Sequence, residues 1–124
     1  MTNKILVVED EPNLVQLLKA GLEAGHYEVV TAKDGQEALE MTRLEKPDLI
    51  ILDIMLPKID GYKVAARLKD DEDLKDIPIV MLTARCLTQD IKKTMENGAV
   101  CYVQKPFKSE VLLAIIQGFI YGQK

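Results

Sequence analysis

The sequence predicts an α/β fold, a doubly wound sheet of five parallel strands with five helices on its two faces. Short apolar runs rich in β-branched residues alternate with segments of helical period. Helix start and stop signals, such as Pro12 and Gly25, mark the changes between them. The third run, residues 49–52, is apolar at every position, as expected for a central parallel strand covered on both faces. This alternation is typical of repeated βα units.

The first unit begins with a strand over residues 5–8. Pro12 suits a first helical turn, and Gly25 fits the cap at the other end of that helix. Between them, apolar residues recur at the spacing of one helix face: Leu14, Leu18 and Leu22.

The second and third units follow the same pattern. A short strand over residues 29–31 precedes Asp34, which opens a helix that Pro47 prevents from continuing. The third strand, residues 49–52, is followed by a loop over 54–60 and a helix from Gly61 to Lys69. The acidic residues 70–73 then indicate a solvated loop.

Two further units complete the fold. Pro78 introduces the fourth strand over residues 79–82, and a fourth helix runs from residue 88 or 89 to 98. The fifth strand is predicted over 100–103 and the fifth helix over about 109–121. Right-handed crossovers give an open twisted sheet, and we expect the strand order 2-1-3-4-5.

Chemically useful side chains follow these strands. Parallel strands end at one edge, and a doubly wound sheet binds ligands where its order reverses, here between strands one and three. Glu9 and Asp10 follow the first of these strands and Asp53 the second, while Thr83 and Lys105 follow strands four and five. We expect these residues to share one crevice.

Composition excludes several classes of protein. Sixteen Lys and Arg against twenty Asp and Glu give a net charge of −4, which argues against direct nucleic acid or anionic membrane binding. The length of 124 residues suits one domain. No apolar stretch is long enough for a membrane span or signal peptide, so a cytoplasmic location and two free thiols, Cys86 and Cys101, are expected.

The acidic cluster calls for a cation. Two carboxylates about 4 Å apart repel by roughly 4 kcal/mol at an effective dielectric near 20. Mg²⁺ prefers such oxygen ligands and commonly bridges protein to phosphate. Asp53 could then attack phosphorus as a nucleophile, with Lys105 neutralising phosphoryl charge.

Each of these residues alone has an ordinary explanation. Asp53 or Thr83 could be a turn or capping residue, Glu9 and Asp10 a solvated pair, and Lys105 a surface cation. Their joint placement at four strand ends favours a shared phosphoryl site.

The four segments that carry this site resemble, over almost the whole chain, the CheY-like response regulator receiver domain of two-component signalling, which has a flavodoxin-like fold. The matching segments are residues 5–12 (ILVVEDEP), 48–57 (DLIILDIMLP) with Asp60 and Gly61, 80–84 (VMLTA), and 98–107 with Tyr102 and Lys105-Pro106-Phe107. The resemblance implies a signalling switch that catalyses only its own phosphoryl acceptance and loss.

The resemblance also assigns roles. It implies that Asp53 is the phosphoacceptor and that Mg²⁺ is held by Glu9, Asp10, Asp53 and the main-chain carbonyl of Met55. It makes Thr83 and Lys105 phosphoryl contacts, Thr83 and Tyr102 the switch pair, and the Lys105–Pro106 bond cis. The implied partners are a sensor histidine kinase or histidine phosphotransfer protein and an unknown output protein or domain, regulated through the surface of helix four, strand five and helix five.

The fifth predicted helix carries a second apolar, small-residue stripe. Besides its core-facing residues, Val111, Ile115 and Gly118 form a candidate partner surface, although a loosely amphipathic terminal helix explains them equally well. A homodimer through helix four, strand five and helix five is possible. Val100, Cys101 and Ile115 stand where receivers that pair through ion pairs carry charge, which argues against that dimer mode.

Three alternatives are considered. A phosphatase of the haloacid dehalogenase type needs a second Asp where Met55 stands, and a phosphorylation-independent scaffold commonly loses the acids. A histidine phosphocarrier is disfavoured, because His26 follows Gly25 in a predicted loop. We therefore expect residues 1–124 to be a single receiver domain with no effector domain after Lys124.

Overall fold

The computed structural model describes residues 3–53, 61–83, 101–104 and 108–121. Within these ranges, side chains are described except at Thr83, residues 101–104, Ser109 and Tyr121. The predicted fourth helix, the predicted loop over 54–60 and residues 105–107 lie outside the described residues.

Five parallel strands form one sheet in the order β2-β1-β3-β4-β5. This order and the α/β class confirm the predicted fold. Most strand ends lie one residue away from the predicted position. The reason is that a parallel ladder extends as far as its neighbours can pair. The strands are β1 (Lys4–Val8), β2 (Glu28–Ala32), β3 (Leu49–Asp53), β4 (Ile79–Thr83) and β5 (Cys101–Gln104).

Four helices are described, each following a strand or its loop along the chain. They are α1 (Pro12–Ala24), α2 (Gly35–Glu45), α3 (Gly61–Lys69) and a C-terminal helix (Ser109–Tyr121), which corresponds to the fifth predicted helix. Asp34 is the N-cap of α2, as expected, with its carboxylate accepting the N–H of Glu37 at 2.8 Å. None of these helices is both long and apolar enough to cross a membrane.

The sheet separates two apolar cores, because neighbouring residues of a strand point to opposite faces. Leu6 and Ile50 pack with α2 and α3 on one face, whereas Ile5 and Ile51 pack with α1 and the C-terminal helix on the other. Every residue of β3 is buried, as predicted for a central strand. Full burial of each such aliphatic side chain contributes about 1.5–3 kcal/mol.

The loop between α3 and β4 makes core and hydrogen-bond contacts that its acidic sequence does not indicate. Leu74 within it is buried against the α2/α3 core. Lys69, the last residue of α3, donates from Nζ to the carbonyls of Lys75 at 2.6 Å and Ile77 at 3.3 Å. Burial lowers the pKa of Lys69, with a smaller opposing effect from Asp76. The ammonium therefore ties the loop to the end of its helix.

Candidate metal centre

Three carboxylates meet at the carboxyl ends of β1 and β3. Glu9, Asp10 and Asp53 each offer an oxygen, and these oxygens all lie within 4.8 Å of one another. Glu9 and Asp53 are only 2% and 4% exposed, whereas Asp10 is exposed. The structure thus brings together the three acids that the sequence predicted would share a crevice.

The sheet fixes the position of Asp53. This residue is the last of β3 and pairs in register with Leu82 of β4. One residue earlier, Leu52 pairs with Val8 of β1 on the other side. The backbone that carries the Asp53 carboxylate is therefore held between two neighbouring strands.

Glu9 is held by its backbone and by its side chain. Its N–H donates to the carbonyl of Ala32 at 3.0 Å, which adds one hydrogen bond beyond the β1–β2 ladder. Its Oε1 accepts the N–H of Glu11 at 3.3 Å. The backbone N–H of the residue two positions later thus holds the Glu9 carboxylate.

Helix α1 begins directly beside this cluster, and Glu11 is its N-cap. The Glu11 carboxylate accepts the N–H of Asn13 at 3.2 Å and that of Leu14 at 2.8 Å. The Pro12 position was predicted from the sequence, but the capping role of Glu11 was not, because the usual N-caps are Ser, Thr, Asp and Asn. The run of three acids at positions 9–11 was the sequence signal that could have indicated an acidic N-cap.

These hydrogen bonds use all the amide donors of the first turn of α1. Pro12 has no N–H, and Val15 donates to the carbonyl of Glu11 at 3.1 Å. With Asn13 and Leu14 already bonded to the Glu11 carboxylate, this helix start offers no spare N–H to an anion.

The electrostatics and donor chemistry of the cluster suit a hard cation. The three carboxylates lie within 4.8 Å of one another. Two unit charges at that distance repel by about 3.5 kcal/mol at an effective dielectric near 20. The donors are all carboxylate oxygens, which Mg²⁺ and Ca²⁺ prefer. Glu9 and Asp53 are buried whereas Asp10 is exposed, so the cluster reaches the protein surface. Glu9, Asp10 and Asp53 could therefore hold a divalent metal.

Thr83 and Tyr102 are described only in their backbone. Thr83 ends β4 at the same edge as Asp53 and pairs in register with Gln104. Tyr102 lies in β5 opposite Met81. Lys105, Pro106 and the Met55 carbonyl lie outside the described residues.

The candidate partner surface on the C-terminal helix is divided between solvent and core. Val111 is 50% exposed and Gly118 is exposed, whereas Ile115 is partly buried against the α1-side core. Leu112, Ile116 and Ile120 form the buried face. Beside it, a surface groove is lined by Ala114, Ile115, Gly118 and Phe119.

Comparison with known proteins identifies the family to which the chain belongs. Residues 5–117 match the family model of the response regulator receiver domain. The chain is 44% identical, over 97% of its length, to the alkaline phosphatase synthesis transcriptional regulatory protein PhoP of Bacillus subtilis, and covers 49% of that protein. It is 34% identical to the polar-differentiation response regulator DivK of Brucella ovis, covering 97% of this chain and 98% of DivK.

One similar solved structure contains a metal ion. The receiver domain of a sensor histidine kinase from Pseudomonas aeruginosa, with a magnesium ion coordinated in its active site cleft, superposes with a TM-score of 0.90. It is 32% identical, and the match covers 98% of this chain and 99% of that domain. The chain spans about half the length of PhoP but nearly all of DivK. The chain belongs to the response regulator receiver domain family and is a phosphoacceptor switch of two-component signalling.

Proposed function

We propose that Asp53 is the phosphoacceptor of this switch and that Glu9, Asp10 and Asp53 hold Mg²⁺ beside it. The single observation that carries the proposal is the convergence of these three carboxylates within 4.8 Å at the switch point of the sheet. The main-chain carbonyl of Met55 is proposed as a further metal ligand.

The proposed donor is a phosphohistidine of a sensor histidine kinase or histidine phosphotransfer protein. A carboxylate oxygen of Asp53 attacks phosphorus, an O–P bond forms, and the P–N bond to the donor histidine breaks. The leaving nitrogen keeps the bonding electron pair, and the product is an acyl phosphate on Asp53. Bound Mg²⁺ would neutralise the negative charge that the phosphoryl oxygens share with the carboxylates.

Other residues of the chain complete the reaction. Lys105 is proposed to pair with a phosphoryl oxygen, and Thr83 to donate its hydroxyl to another. Water then attacks the acyl phosphate, which restores the carboxylate and releases inorganic phosphate. The protein thereby catalyses its own phosphorylation and its own dephosphorylation.

The output is proposed to be altered protein binding. When Thr83 moves toward the phosphoryl group, Tyr102 turns inward and changes the surface formed by the fourth predicted helix, β5 and the C-terminal helix. PhoP is named a transcriptional regulator and is about twice as long as this chain. We propose that this chain, as a single receiver domain, regulates an output protein or domain without itself contacting DNA, consistent with its net charge of −4.

Intact-mass measurement after incubation with acetyl phosphate and MgCl₂ tests the proposal. We expect one added phosphoryl group on the wild type and none on Asp53→Asn. Asp48→Asn is the matched control, because Asp48 precedes the opposite end of β3, where its Oδ2 accepts the N–H of Lys4 at 2.7 Å. A phosphoryl adduct that persists in Asp53→Asn would show that another residue accepts the group.

A further inference from the structure

We infer that Glu11 is a positioning residue for the metal ligand Glu9, acting through the start of helix α1. This inference rests on the proposed Mg²⁺ site. Glu11 has no place among the metal ligands assigned above. Its contribution is to hold the backbone whose N–H bonds to Glu9.

The geometry forms a short relay of hydrogen bonds within residues 9–14. The N–H of Glu11 donates to Glu9 Oε1 at 3.3 Å. The carboxylate of the same Glu11 accepts from Asn13 and Leu14, at 3.2 and 2.8 Å. One residue therefore joins the ligand to the helix, because its backbone contacts Glu9 and its side chain contacts the first turn.

Pro12 makes this relay dependent on Glu11. Proline fixes its own φ and donates no hydrogen bond, so the first turn of α1 has only Asn13, Leu14 and Val15 as donors. All three bond to Glu11, two through its carboxylate and one through its carbonyl. Without the carboxylate, two donors lose their protein acceptor, and the first turn is expected to fray.

Fraying of this turn affects Glu9 in particular. The Glu9 side chain is 2% exposed, so a carboxylate released from the Glu11 N–H must reorganise within a crowded site. The backbone of Glu9 stays in place, because its N–H bonds to Ala32. The expected result is a ligand that is present but less well oriented, which weakens metal binding.

A helix-capping role and a purely electrostatic role predict different outcomes when Glu11 is substituted. Serine is a strong neutral N-cap whose hydroxyl accepts from the N2 or N3 amide, here Asn13 or Leu14. If Glu11 acts as a cap, Glu11→Ser keeps the metal affinity and Glu11→Ala does not. If Glu11 acts only as a nearby negative charge, both variants weaken binding equally.

The experiment is an amide NMR titration of the ¹⁵N-labelled chain with MgCl₂ at constant ionic strength. We expect Glu11→Ala to weaken Mg²⁺ binding about 3- to 10-fold, below the larger losses typical of direct outer-shell partners, and Glu11→Ser to stay within about 2-fold of the wild type. Equal weakening in both variants, or none in Glu11→Ala, would overturn the inference.

Asp34→Ala is the matched control. Asp34 is the N-cap of α2 on the same edge of the sheet, and its Oδ1 accepts the N–H of Glu37. This variant should lose stability much as Glu11→Ala does but keep its Mg²⁺ affinity within about 2-fold. A similar loss of affinity in Asp34→Ala would mean that any weakened helix start lowers it, which also overturns the inference.

Repeating the Glu11→Ala substitution in a Glu9→Ala protein shows whether Glu11 acts through Glu9. In Glu9→Ala, the further change Glu11→Ala should alter the Mg²⁺ affinity less than 2-fold, because the relay has lost its target. An undiminished effect there would refute the relay. Absence of Mg²⁺ binding by the wild type itself would refute the proposed metal site, whereas normal wild-type binding with an unaffected Glu11→Ala would refute only the role of Glu11.

Discussion

The N–H of Tyr27 donates to the carbonyl of Leu22 at 3.1 Å, five residues earlier, and closes the end of helix α1. The N–H of His26 donates to Glu23 at 3.0 Å, which completes a Schellman motif. Gly25 occupies the cap, as predicted, but with φ of −86°. The left-handed conformation falls on His26, with φ of 70°. This helix therefore ends on a residue with a Cβ where glycine is usual.

His26→Gly should stabilise the protein by about 0.5–1 kcal/mol, because glycine adopts positive φ without the Cβ clash. The measurement is urea unfolding with the midpoint and slope fitted together. Gly25→Ala is the control. Its new Cβ would lie 3.4 Å from the Leu22 carbonyl and the Tyr27 ring. Because Gly25 has a negative φ, this variant should gain no stability from relief of strain. A destabilised His26→Gly would mean that the imidazole contributes more than the strain costs.

Mg²⁺ should stabilise the wild type by about 1 kcal/mol at five times its dissociation constant, since a ligand that binds only the folded state shifts unfolding by mass action. In EDTA, Asp53→Asn should be the more stable protein, because it removes one of three mutually repelling charges. Thermal unfolding of both proteins, with and without MgCl₂ at matched ionic strength, measures both effects. Equal stabilisation of Asp53→Asn by MgCl₂ would contradict the assignment of Asp53 as a ligand.

Lys69→Met should destabilise the fold by about 1–2 kcal/mol, since two carbonyls of the α3–β4 loop lose a charged donor. Arg67→Met is the control on the same helix, because Arg67 is exposed and its replacement should cost less than about 0.5 kcal/mol. Chemical denaturation of the two variants gives the comparison. Indistinguishable midpoints would show that water replaces the ammonium at no cost.

Val111→Lys should leave stability within about 0.5 kcal/mol of the wild type, because half of the Val111 side chain is exposed. Ile115→Lys should cost more, about 1–3 kcal/mol, because Ile115 packs on the core. Val111→Lys is therefore the cleaner probe of the candidate partner surface. It should weaken binding of the output partner with phosphoryl acceptance unchanged; unaltered affinity would make Val111 an ordinary surface residue.

The sheet was predictable because its signals are local and redundant. Residues 49–52 are apolar throughout, and this alone indicates a strand buried on both faces, as β3 is. The N-cap Asp34 is a usual residue in its usual place. The buried Leu74 was missed, because an isolated leucine in an acidic loop has no periodicity to indicate which way it faces.

For the site, the sequence was sufficient to predict which strand ends converge. Glu9, Asp10 and Asp53 follow from topology, since parallel strands align their carboxyl ends. The cap by Glu11 was not predictable, because it depends on a long side chain folding back onto its own helix. The roles of Lys69 and His26 depend likewise on backbone geometry that sequence patterns do not encode.

The central position of β3 determines which parts of the receiver can respond to modification. Asp53 ends a strand that is paired on both sides and covered on both faces, so a phosphoryl group attached there cannot displace its own support without breaking two ladders of hydrogen bonds. The backbone at the proposed phosphoacceptor Asp53 is therefore expected to stay in place. If Asp53 is the phosphoacceptor, as proposed, the structural response to phosphorylation is expected outside β3 itself.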